Sequence, residues 1–595
     1  MKTFRQALAA AAVSDRDGGA RRWVYVPYDQ VGLFGTLDAP AAGLGIVMVE
    51  DPGKGARRPY HKQKLAFVLA NSRHFALEAA RRGVAVDYRV APPGTAAETG
   101  LVAALRAAAD AHGPLDVMRP AERELRVEIA PLLDGGALRE VPHAGWLTTA
   151  EGFRAACPRA PYRLDAFYRH ARAARGVLMD GDGPLGGRWS FDADNRLPWR
   201  GPARGDPPAP APLRFTPDAV TEEVGALVRA RFGHHPGDLD LAALPTTHAD
   251  AEAAWAWALA HALPHFGPYE DAMSTASDGL FHARIAHLLN VHRLLPARVV
   301  ADVAARTDLP LASVEGFIRQ VLGWREFVRH VHDATDGFRT LPAVPPTRVV
   351  VRPAVAPAPG DAGWRASQPG YDPAEAPPPA LPAGLDGGAL PAALGDTLPL
   401  PAAYWGRPSG LNCLDHVVTQ VMHDGWTHHI PRLMVLGNIG ALLGVSPRAL
   451  TDWFWCAFID AYDWVVEPNV LAMGTFGVGE VMTTKPYVAG SAYVDRMSDL
   501  CGGCAFVPGK TCPLTPLYWA FLRRHADTLA SNPRVAGPVA NARRRPDGAR
   551  DDATFDAVRA RLDAGEPLAP AQLHADIARR VAAADADAPD GSRRS

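Results

Sequence analysis

The hydrophobic pattern of this 595-residue chain changes from a strand-and-helix alternation to an almost purely helical pattern. Short β-rich runs (WVYVPY at 23–28, GIVMVE at 45–50 and VAVDYRV at 84–90) surround a stretch at 62–82 whose apolar residues have helical spacing. Strands that alternate with helices imply a parallel sheet covered by helices. The pattern therefore predicts an α/β domain at 21–150.

A second, all-α domain is predicted from about residue 216 to about residue 530. Its clearest helix is the segment 311–331, in which apolar residues recur at helical spacing and form one buried stripe. Another helix is predicted to begin at Ser446 and Pro447, because serine is a good N-cap and proline suits the first helical position.

Changes in composition predict the remaining boundaries. The stretch at 340–402 is dominated by proline, alanine and glycine, and it cannot bury enough side chain to offset the ordering of its backbone. The predicted organisation is a flexible leader at 1–20, the α/β domain at 21–150, a connector at 151–215, a first helical part at 216–339, a surface insertion or linker at 340–402, a second helical part at 403–535, and a mainly solvated C-terminal tail at 536–595.

The overall charge and composition exclude several classes of protein. Lys plus Arg number 62 and Asp plus Glu number 64, a net charge of -2 that excludes a globally basic nucleic-acid coat but not a local basic groove. Six cysteines are too few for a disulfide scaffold. No stretch approaches the roughly 20 apolar residues that cross a bilayer. We expect a soluble, cytoplasmic monomer with no membrane partner.

Three cysteines form a candidate metal site. Cys501 and Cys504 form a C-x-x-C pair, and Cys512 follows eight residues later in a loop rich in glycine and proline. The fourth ligand would be one of the remaining cysteines, Cys157, Cys413 or Cys456. Spacing alone allows either a zinc site or an iron-sulfur cluster, since both are bound by thiolates.

Long segments of the chain resemble the prokaryotic iron-sulfur branch of the photolyase/cryptochrome family, which contains the bacterial (6-4) photolyases and related cryptochromes. The segments that carry the resemblance lie in both halves of the chain. They are HKQKLAFVLANSRHFALE (61–78), GGRWSFDADNR (186–196), LFHARIAHLLN (280–290), EGFIRQVLGWREFVRHV (315–331), LNCLDHVVTQ (411–420), HHIPRLMVLGN (428–438), DAYDWVVEPNVLAMGTF (460–476), TKPYVAGSAYVDRMSDLC (484–501) and CPLTPLYWAFL (512–522).

The resemblance implies a fold and a set of cofactors. The α/β domain would be an antenna domain, and the all-α C-terminal domain would hold FAD in a U-shape. A [4Fe-4S] cluster would lie near the C-terminal end, with Cys413 as the fourth ligand beside Cys501, Cys504 and Cys512.

The resemblance also implies the residues of the flavin pocket. His282 and Arg284 match a phosphate-binding turn, and a buried arginine such as Arg325 would stabilise a reduced, anionic flavin by its charge. The remaining residues of the implied pocket are Asp460 and Arg432, which would bracket the flavin ring, together with Asn469.

The position that faces the flavin N5 departs from the family pattern. The family's carboxylate falls where this chain has Val466. Two interpretations stay open. Either Glu467 replaces that carboxylate after a local shift, or the flavin N5 faces an apolar wall.

The resemblance implies a chain of aromatic side chains that supplies electrons to the flavin. Trp453 and Trp405 match the inner and outer tryptophans. The middle position, usually tyrosine, is Phe454, which is much harder to oxidise. Trp455 is the adjacent candidate for that step.

The implied substrate is UV-damaged DNA, whose lesion would be flipped out of the duplex. His429 matches the histidine that serves (6-4) repair, since an imidazole can hold and return a proton near neutral pH. Other residues are expected to line the lesion pocket or to contact phosphates around its mouth. They are Tyr487, Tyr493 and Trp324 for the pocket, and Lys485, Arg319, Arg329 and Arg496 for the phosphates.

The first predicted strand is followed by Asp29 and Gln30 rather than by a dinucleotide-binding glycine motif. These two residues match the family's element for the antenna 6,7-dimethyl-8-ribityllumazine. The acidic residue expected shortly after the next strand is absent. The pocket is therefore expected to be altered, and either empty or filled by another chromophore.

Three functions fit these observations. The first is light-driven repair of (6-4) photoproducts by a carbon-carbon lyase. The second is a blue-light-sensing cryptochrome with the same cofactors and little or no repair. The third is a zinc-stapled DNA-binding protein without photochemistry.

Overall fold

The computed structural model describes residues 2–12, 21–95, 98–342 and 387–587. Its N-terminal part contains five strands, which are β1 (Arg22–Tyr25), β2 (Leu44–Glu50), β3 (Ala85–Val90), β4 (Leu115–Met118) and β5 (Leu138–Val141). All neighbouring pairs are parallel, and the strand order is β3-β2-β1-β4-β5. The order reverses between β1 and β4, which is where open parallel sheets bind ligands.

Helices cover both faces of this sheet. Alternation along the strands directs Val24, Ile46 and Met48 into the main core of the protein, whereas Tyr25 and Val47 contribute to a second core. The helices of this part are α1 (Lys2–Ala11), α2 (Pro52–Ala56), α3 (Lys62–Arg81), α4 (Gly100–His112), α5 (Arg123–Asp134), α6 (Ala150–Ala156) and α7 (Leu164–Arg175). The predicted α/β domain with a parallel sheet is confirmed.

A small antiparallel hairpin, β6 (Met179–Asp180) and β7 (Gly183–Pro184), lies in the connector before the helical domain. The helices that follow are α8 (Ala219–Phe232), α9 (His248–Trp257), α10 (Leu263–Phe266), α11 (Ala286–Asn290), α12 (Pro296–Ala304), α13 (Leu311–Ile318), α14 (Glu326–Ala334), α15 (Asn412–Asp424), α16 (Asn438–Leu442), α17 (Pro447–Ala457), α18 (Asp463–Val466), α19 (Ser491–Met497), α20 (Leu514–Arg524), α21 (Ala526–Leu529), α22 (Ala536–Arg544), α23 (Gly548–Asp563) and α24 (Pro570–Asp587). The predicted all-α second domain is confirmed, and α17 begins at Pro447 as expected.

Several of these helices contain or adjoin wide π-helical turns, which are rare in proteins and frequent at functional sites. One such turn spans Ala258–Ala262. The other three, Arg319–Arg325, Pro431–Gly437 and Glu467–Gly474, each carry a residue that the sequence predicts for the flavin pocket.

The two ends of the chain differ from the prediction. Residues 2–11 of the expected flexible leader form α1, and Phe4 is fully buried, with its ring 4.7 Å from that of Tyr88. The expected solvated tail forms α22, α23 and α24, in which Val558 and Leu562 are buried. Alanine has the best helix propensity and buries readily, so Ala-rich segments such as these form packed helices.

The expected insertion at 340–402 is shorter than predicted at its C-terminal end. Residues 343–386 lie outside the described residues. From residue 387 the chain packs onto the helical domain, where the Ala393 N–H donates to Gly477 O at 2.8 Å and Leu400 is 2% exposed.

The two domains share hydrogen bonds across their interface. The Glu124 N–H donates to Asp463 Oδ2 at 2.9 Å, and the ring of His292 donates to the Asp29 carbonyl oxygen at 2.8 Å. In the part of the chain that the structure describes, none of the helices is both long and apolar enough to cross a bilayer.

Candidate functional site

A buried ion pair forms the centre of the candidate flavin pocket. Arg432 Nη1 and Nη2 donate to Asp460 Oδ1 and Oδ2 at 2.9 and 3.0 Å, and Arg432 Nε donates to Thr427 O at 2.7 Å. Asn290 anchors the other side of the loop by donating to Asp460 O at 2.8 Å. The predicted pairing of Arg432 with Asp460 is observed. Burial of either charge without the other would be costly, so each side chain depends on its partner.

Arg325 joins the same network. Its Nη2 donates to Leu289 O at 3.0 Å, and its Nε lies 3.4 Å from Asn290 Oδ1. The guanidinium also stacks over the Trp146 ring, 4.3 Å from the centroid. Burial lowers the pKa of Arg325 to about 10, so the side chain is a buried cation at neutral pH. Arg325 Nη1 also lies 3.5 Å from Glu326 Oε1, so this carboxylate partly compensates the buried cation.

The structure separates the two residues of the predicted phosphate turn. Arg284 stacks on the Trp426 ring at 4.3 Å and lies 3.5 Å from Asp424 Oδ2. Its Nη1 atom is buried and has no hydrogen-bond partner among the described residues, so this guanidinium still has a donor to offer. Its neighbour His282 instead packs against His428 and His429.

Three histidines meet at the edge of this pocket. The His282 and His428 rings are stacked with centroids 4.1 Å apart, and His429 lies edge-on to His282 at 5.3 Å. Burial, followed by the neighbouring imidazoles, lowers the pKa values of His282 and His428 well below the ordinary value. The side chain of His429 is 42% exposed, which makes it the accessible member of the cluster.

His429 occupies the first turn of a helix, two residues before Pro431. Its Nε2 lies 3.8 Å from Asp271 Oδ1. Asp271 also contributes, after burial, to the raised pKa of Tyr493. Asp271 is thus common to the surroundings of two predicted lesion residues. Sequence reasoning missed it, because it lies in an irregular segment without a recognisable motif.

Two of the four expected phosphate contacts are contradicted. Arg319 is held among Glu270, Glu315 and Asp192 at 3.3 to 3.5 Å. Arg329 pairs with Glu326 at 3.4 Å and donates to Thr148 O at 2.9 Å. Their positive charges are neutralised within the protein and are unavailable to DNA. Three further predicted positions remain open to solvent at least in part, namely Lys485, Arg496 and Tyr487.

Glu467 is not free to face a flavin. It accepts from Arg448 Nη1 at 2.7 Å and contacts His332 Nε2 at 2.8 Å. Burial alone would raise its pKa, but the hydrogen bond from His332 and the charge of Arg448 hold that pKa at about 2. The proposed substitution by Glu467 is therefore wrong, and the apolar interpretation with Val466, which is 4% exposed, is the one left.

The side chains of Asn469 and Trp324 are hydrogen-bonded to each other. Trp324 Nε1 donates to Asn469 Oδ1 at 2.7 Å, and Asn469 Nδ2 donates to Val465 O at 2.7 Å. Both side chains are partly buried in the helical core. Asn469 is thus committed to hydrogen bonds within the protein, and Trp324 packs where a lesion-lining role was expected.

The predicted electron-transfer tryptophans are in contact. Trp405 and Trp453 have ring centroids 6.4 Å apart and planes inclined by 81°. Phe454 also touches Trp453, at 5.1 Å, but does not separate the two tryptophans. Trp455 lies on the opposite side of α17, under the guanidinium of Arg58 at 4.1 Å. It is therefore not the missing middle member.

The four predicted cluster cysteines share one region of the helical domain. Asn412 Nδ2 donates to Leu500 O at 2.7 Å and joins the start of α15 to the C-x-x-C loop. Cys413 is buried, whereas the other three are half-buried, and all four are free thiols. Burial, followed by the charges of Cys512, Cys501 and Cys504, raises the pKa of Cys413. No three of these sulfur atoms lie within 4.8 Å of one another in the described structure.

The candidate antenna site lies where the strand order reverses. A cleft is lined by aromatic side chains from both domains, including Tyr28, Trp455 and Tyr462. Gln30 and Asp29 are not among the lining residues. Gln30 Nε2 donates to Met118 O at 2.9 Å, and burial raises the pKa of Asp29 to about 7. Gln30 is thus partly committed to the Met118 carbonyl, whereas both carboxylate oxygens of Asp29 are buried without a hydrogen-bond partner among the described residues.

Comparison with known proteins gives a consistent family. The family model for deoxyribodipyrimidine photo-lyase-related proteins matches residues 35–243. A (6-4) photolyase from Agrobacterium fabrum is 32% identical over 523 residues, which cover 85% of this chain and 92% of that protein.

Two solved structures are also similar. A bacterial class III photolyase from Agrobacterium tumefaciens has 14% identity and a TM-score of 0.49, and the match covers 96% of this chain and 99% of that one. A cryptochrome from Synechocystis has 13% identity and a TM-score of 0.48, with 94% and 98% coverage. On the strength of the 32% identity, this chain belongs to the photolyase/cryptochrome family, in the group of the deoxyribodipyrimidine photo-lyase-related proteins.

Proposed function

We propose that this protein is a light-driven DNA photolyase that repairs (6-4) photoproducts with FAD. The observation that carries the proposal is the position of His429. This histidine is 42% exposed and lies one helical turn before Arg432, which is paired with the buried Asp460. A proton carrier thus lies at the surface of a site built to hold a polar ring.

The residues of the pocket fit a flavin nucleotide. Several buried polar atoms around the Asp460 loop have no hydrogen-bond partner among the described residues, which is costly unless a ligand satisfies them. These atoms are Arg284 Nη1, His287 Nδ1 and Nε2, Thr427 Oγ1 and Trp453 Nε1. Bound FAD, once reduced and excited by light, would supply the electron for the repair reaction.

The protein's own residues would hold and protect that cofactor. Arg284 would offer its free donor to the diphosphate, and the Asp460–Arg432 pair would orient the ring. Arg325 would add a buried positive charge that stabilises an anionic, reduced ring. Val466 would leave the flavin N5 facing an apolar side chain.

His429 would hold the proton that the lesion needs during repair. Its side chain is partly exposed, and its Nε2 lies 3.8 Å from the carboxylate of Asp271, which would help to hold the ring in place. A positioned acid of this kind contributes about 10²- to 10⁴-fold to a reaction rate. Tyr487 and Tyr493 would line the pocket that receives the flipped lesion from UV-damaged DNA.

Trp405 and Trp453 would deliver electrons for photoreduction, and Cys413, Cys501, Cys504 and Cys512 would hold a [4Fe-4S] cluster. A donor set of four thiols, one of them buried and three half-buried, suits such a cluster. Zinc is the other metal that four thiolates bind, and an iron assay separates the two.

The cleft between the domains would hold an antenna chromophore with an aromatic ring system. Tyr28, Tyr462 and Trp455 provide stacking surfaces there. Lys54, buried in the same wall, would pair with a polar substituent. A ribityllumazine is the expected class.

A blue-light-sensing cryptochrome is the second candidate function, favoured by the replacement of the N5-facing carboxylate by Val466. A His429→Asn variant separates the two functions. If the protein is a photolyase, this variant retains its flavin and its photoreduction but loses light-driven repair of a (6-4) oligonucleotide. Unchanged repair in the variant would contradict the assignment of His429.

A further inference from the structure

The histidine cluster at the pocket edge has the composition of a metal site. One ring nitrogen from each of His282, His428 and His429 lies within 4.8 Å of those of the other two. Across residues 2–12, 21–95, 98–342 and 387–587, this is the one group of three such side chains that converges so closely. Imidazole is a preferred ligand of Zn²⁺, Cu²⁺ and Ni²⁺.

A carboxylate completes the donor set. Asp271 Oδ1 lies 3.8 Å from His429 Nε2, on the exposed side of the cluster. The side chains of Asp271 and His429 are 24% and 42% exposed, so both have room to turn towards a bound ion. Three imidazoles and one carboxylate are a donor set that zinc accepts in tetrahedral geometry.

A second observation points to a ligand. His428 is 5% exposed, and its Nδ1 atom is buried without a hydrogen-bond partner among the described residues. A buried polar atom left in this way costs about 1 to 3 kcal/mol. Coordination of a cation by this nitrogen would remove that cost.

We propose that His282, His428, His429 and Asp271 form a binding site for Zn²⁺ or a similar borderline divalent cation. Zinc binds nitrogen at about 2.0 to 2.1 Å in a tetrahedron, which requires ligand atoms about 3.4 Å apart. The His282 and His428 rings, whose planes are now inclined by only 18°, must turn relative to one another about their own torsions so that a nitrogen lone pair of each points at the ion. The ring of His282 gives up its contact with Glu270 O, now 3.2 Å, if that nitrogen is the ligand.

Occupation of this site regulates the proposed repair reaction, and this part of the inference rests on the proposed function. A metal ion bound to His429 occupies the nitrogen lone pair that would otherwise bind the proton. The imidazole then cannot serve as the acid. Zinc-bound protein is therefore inactive in repair but still holds its flavin and still photoreduces it through Trp453 and Trp405.

The binding test uses the purified, flavin-loaded protein and ZnCl₂, titrated against a fluorescent zinc indicator. We expect one site beyond the zinc content of the isolated protein. The variants His282→Gln and Asp271→Asn should each weaken zinc binding by at least about 10-fold. Removal of an outer-shell partner alone can cause a loss of that size. The exposed His574→Gln is the matched control and should leave the affinity unchanged.

Equal zinc affinity in the wild type and in both variants would overturn the proposal, since the ion would then bind elsewhere, for example at the cysteines. If His282→Gln fails to fold, Asp271→Asn still tests the site, because it changes a side chain that is partly exposed. In the repair assay, zinc should abolish activity, and EDTA should restore it. If the metal-free protein lacks repair activity, the proposed function is refuted. The zinc titration then still shows whether the metal site exists.

Discussion

Trp405 lies in direct contact with Trp453, with ring centroids 6.4 Å apart and planes inclined by 81°. Trp453 is fully buried and Trp405 is 7% exposed, so the pair leads from the core towards the surface. Phe454 packs on Trp453 from another side. An electron can therefore pass between the two tryptophans without an oxidisable residue at position 454.

Replacement of Trp405 by phenylalanine should slow flavin photoreduction. The change keeps an aromatic ring of similar shape but removes the outer electron donor. We expect the rate to fall by more than about 10-fold, an increase of about 1.4 kcal/mol in the barrier. The measurement is the loss of oxidised flavin absorbance under blue light with an external reductant.

Phe454→Leu is the matched control for that variant, because it changes a neighbour of Trp453 that does not lie between the tryptophans. Its photoreduction rate should equal that of the wild type. A normal rate for Trp405→Phe, or a large loss for Phe454→Leu, would show that the electrons take another route.

Asp460→Asn should reduce both flavin content and stability. The change leaves the guanidinium of Arg432 without its bidentate partner in a largely buried site. Breaking a buried pair in this way costs about 3 kcal/mol or more. Denaturant unfolding and the flavin-to-protein absorbance ratio measure the two effects.

The exposed pair of Arg306 and Asp308 provides the comparison for Asp460→Asn. Because water and salt screen an exposed pair, Asp308→Asn should leave stability and flavin content nearly unchanged. Similar losses in both variants would mean that Asp460 has no special role in the pocket.

The fold was largely predictable from sequence because periodicity reports which faces are buried. The parallel sheet followed from three β-rich runs around a helical segment, and the start of α17 followed from Pro447. The ends of the chain were not predictable in the same way. Their composition, rich in alanine and charged residues, suggests a solvated segment, yet Phe4 and Val558 are buried. Burial depends on partners far away in the sequence, which composition does not reveal.

The candidate site was predictable only where residues fall within matched segments. The pairing of Arg432 with Asp460 followed from the family pattern. The role of Asp271 did not, because its proximity to His429 arises from the fold of an irregular segment. The charges of Arg319 and Arg329 were also misjudged, since a sequence does not show which carboxylates neutralise an arginine.

Cys413→Ser should abolish iron binding. Cys413 is the most buried of the four thiols and interacts with the other three. Chemical assays of iron and acid-labile sulfide on anaerobically purified protein should find about four of each per chain in the wild type and a loss of both in the variant. The buried Cys456→Ser is the control and should keep its iron. Zinc in place of iron in the wild type would contradict the cluster.

Acid should destabilise the protein through His61, whose pKa burial lowers to about 4. The unfolded chain takes up a proton near pH 6.5 and the folded chain only near pH 4, so stability is complete above pH 6.5 and is lost as the pH falls towards 4. The loss is at most about 3 kcal/mol for this group.

His61→Asn tests this contribution, because asparagine still caps α3, where the His61 ring now accepts from the Gln63 N–H at 3.0 Å. The unfolding free energy of the variant should change less than that of the wild type between pH 6.5 and pH 4. An identical pH dependence of the two proteins would assign the acid sensitivity to other groups.

The most direct test of the central claim is illumination of the reduced protein with oligonucleotides that carry either a (6-4) photoproduct or a cyclobutane dimer, followed by chromatographic analysis of the products. We predict restored pyrimidines from the (6-4) oligonucleotide, only in the light. Failure to convert that lesion, by protein shown to contain reduced FAD, would contradict the assignment of this protein as a (6-4) photolyase.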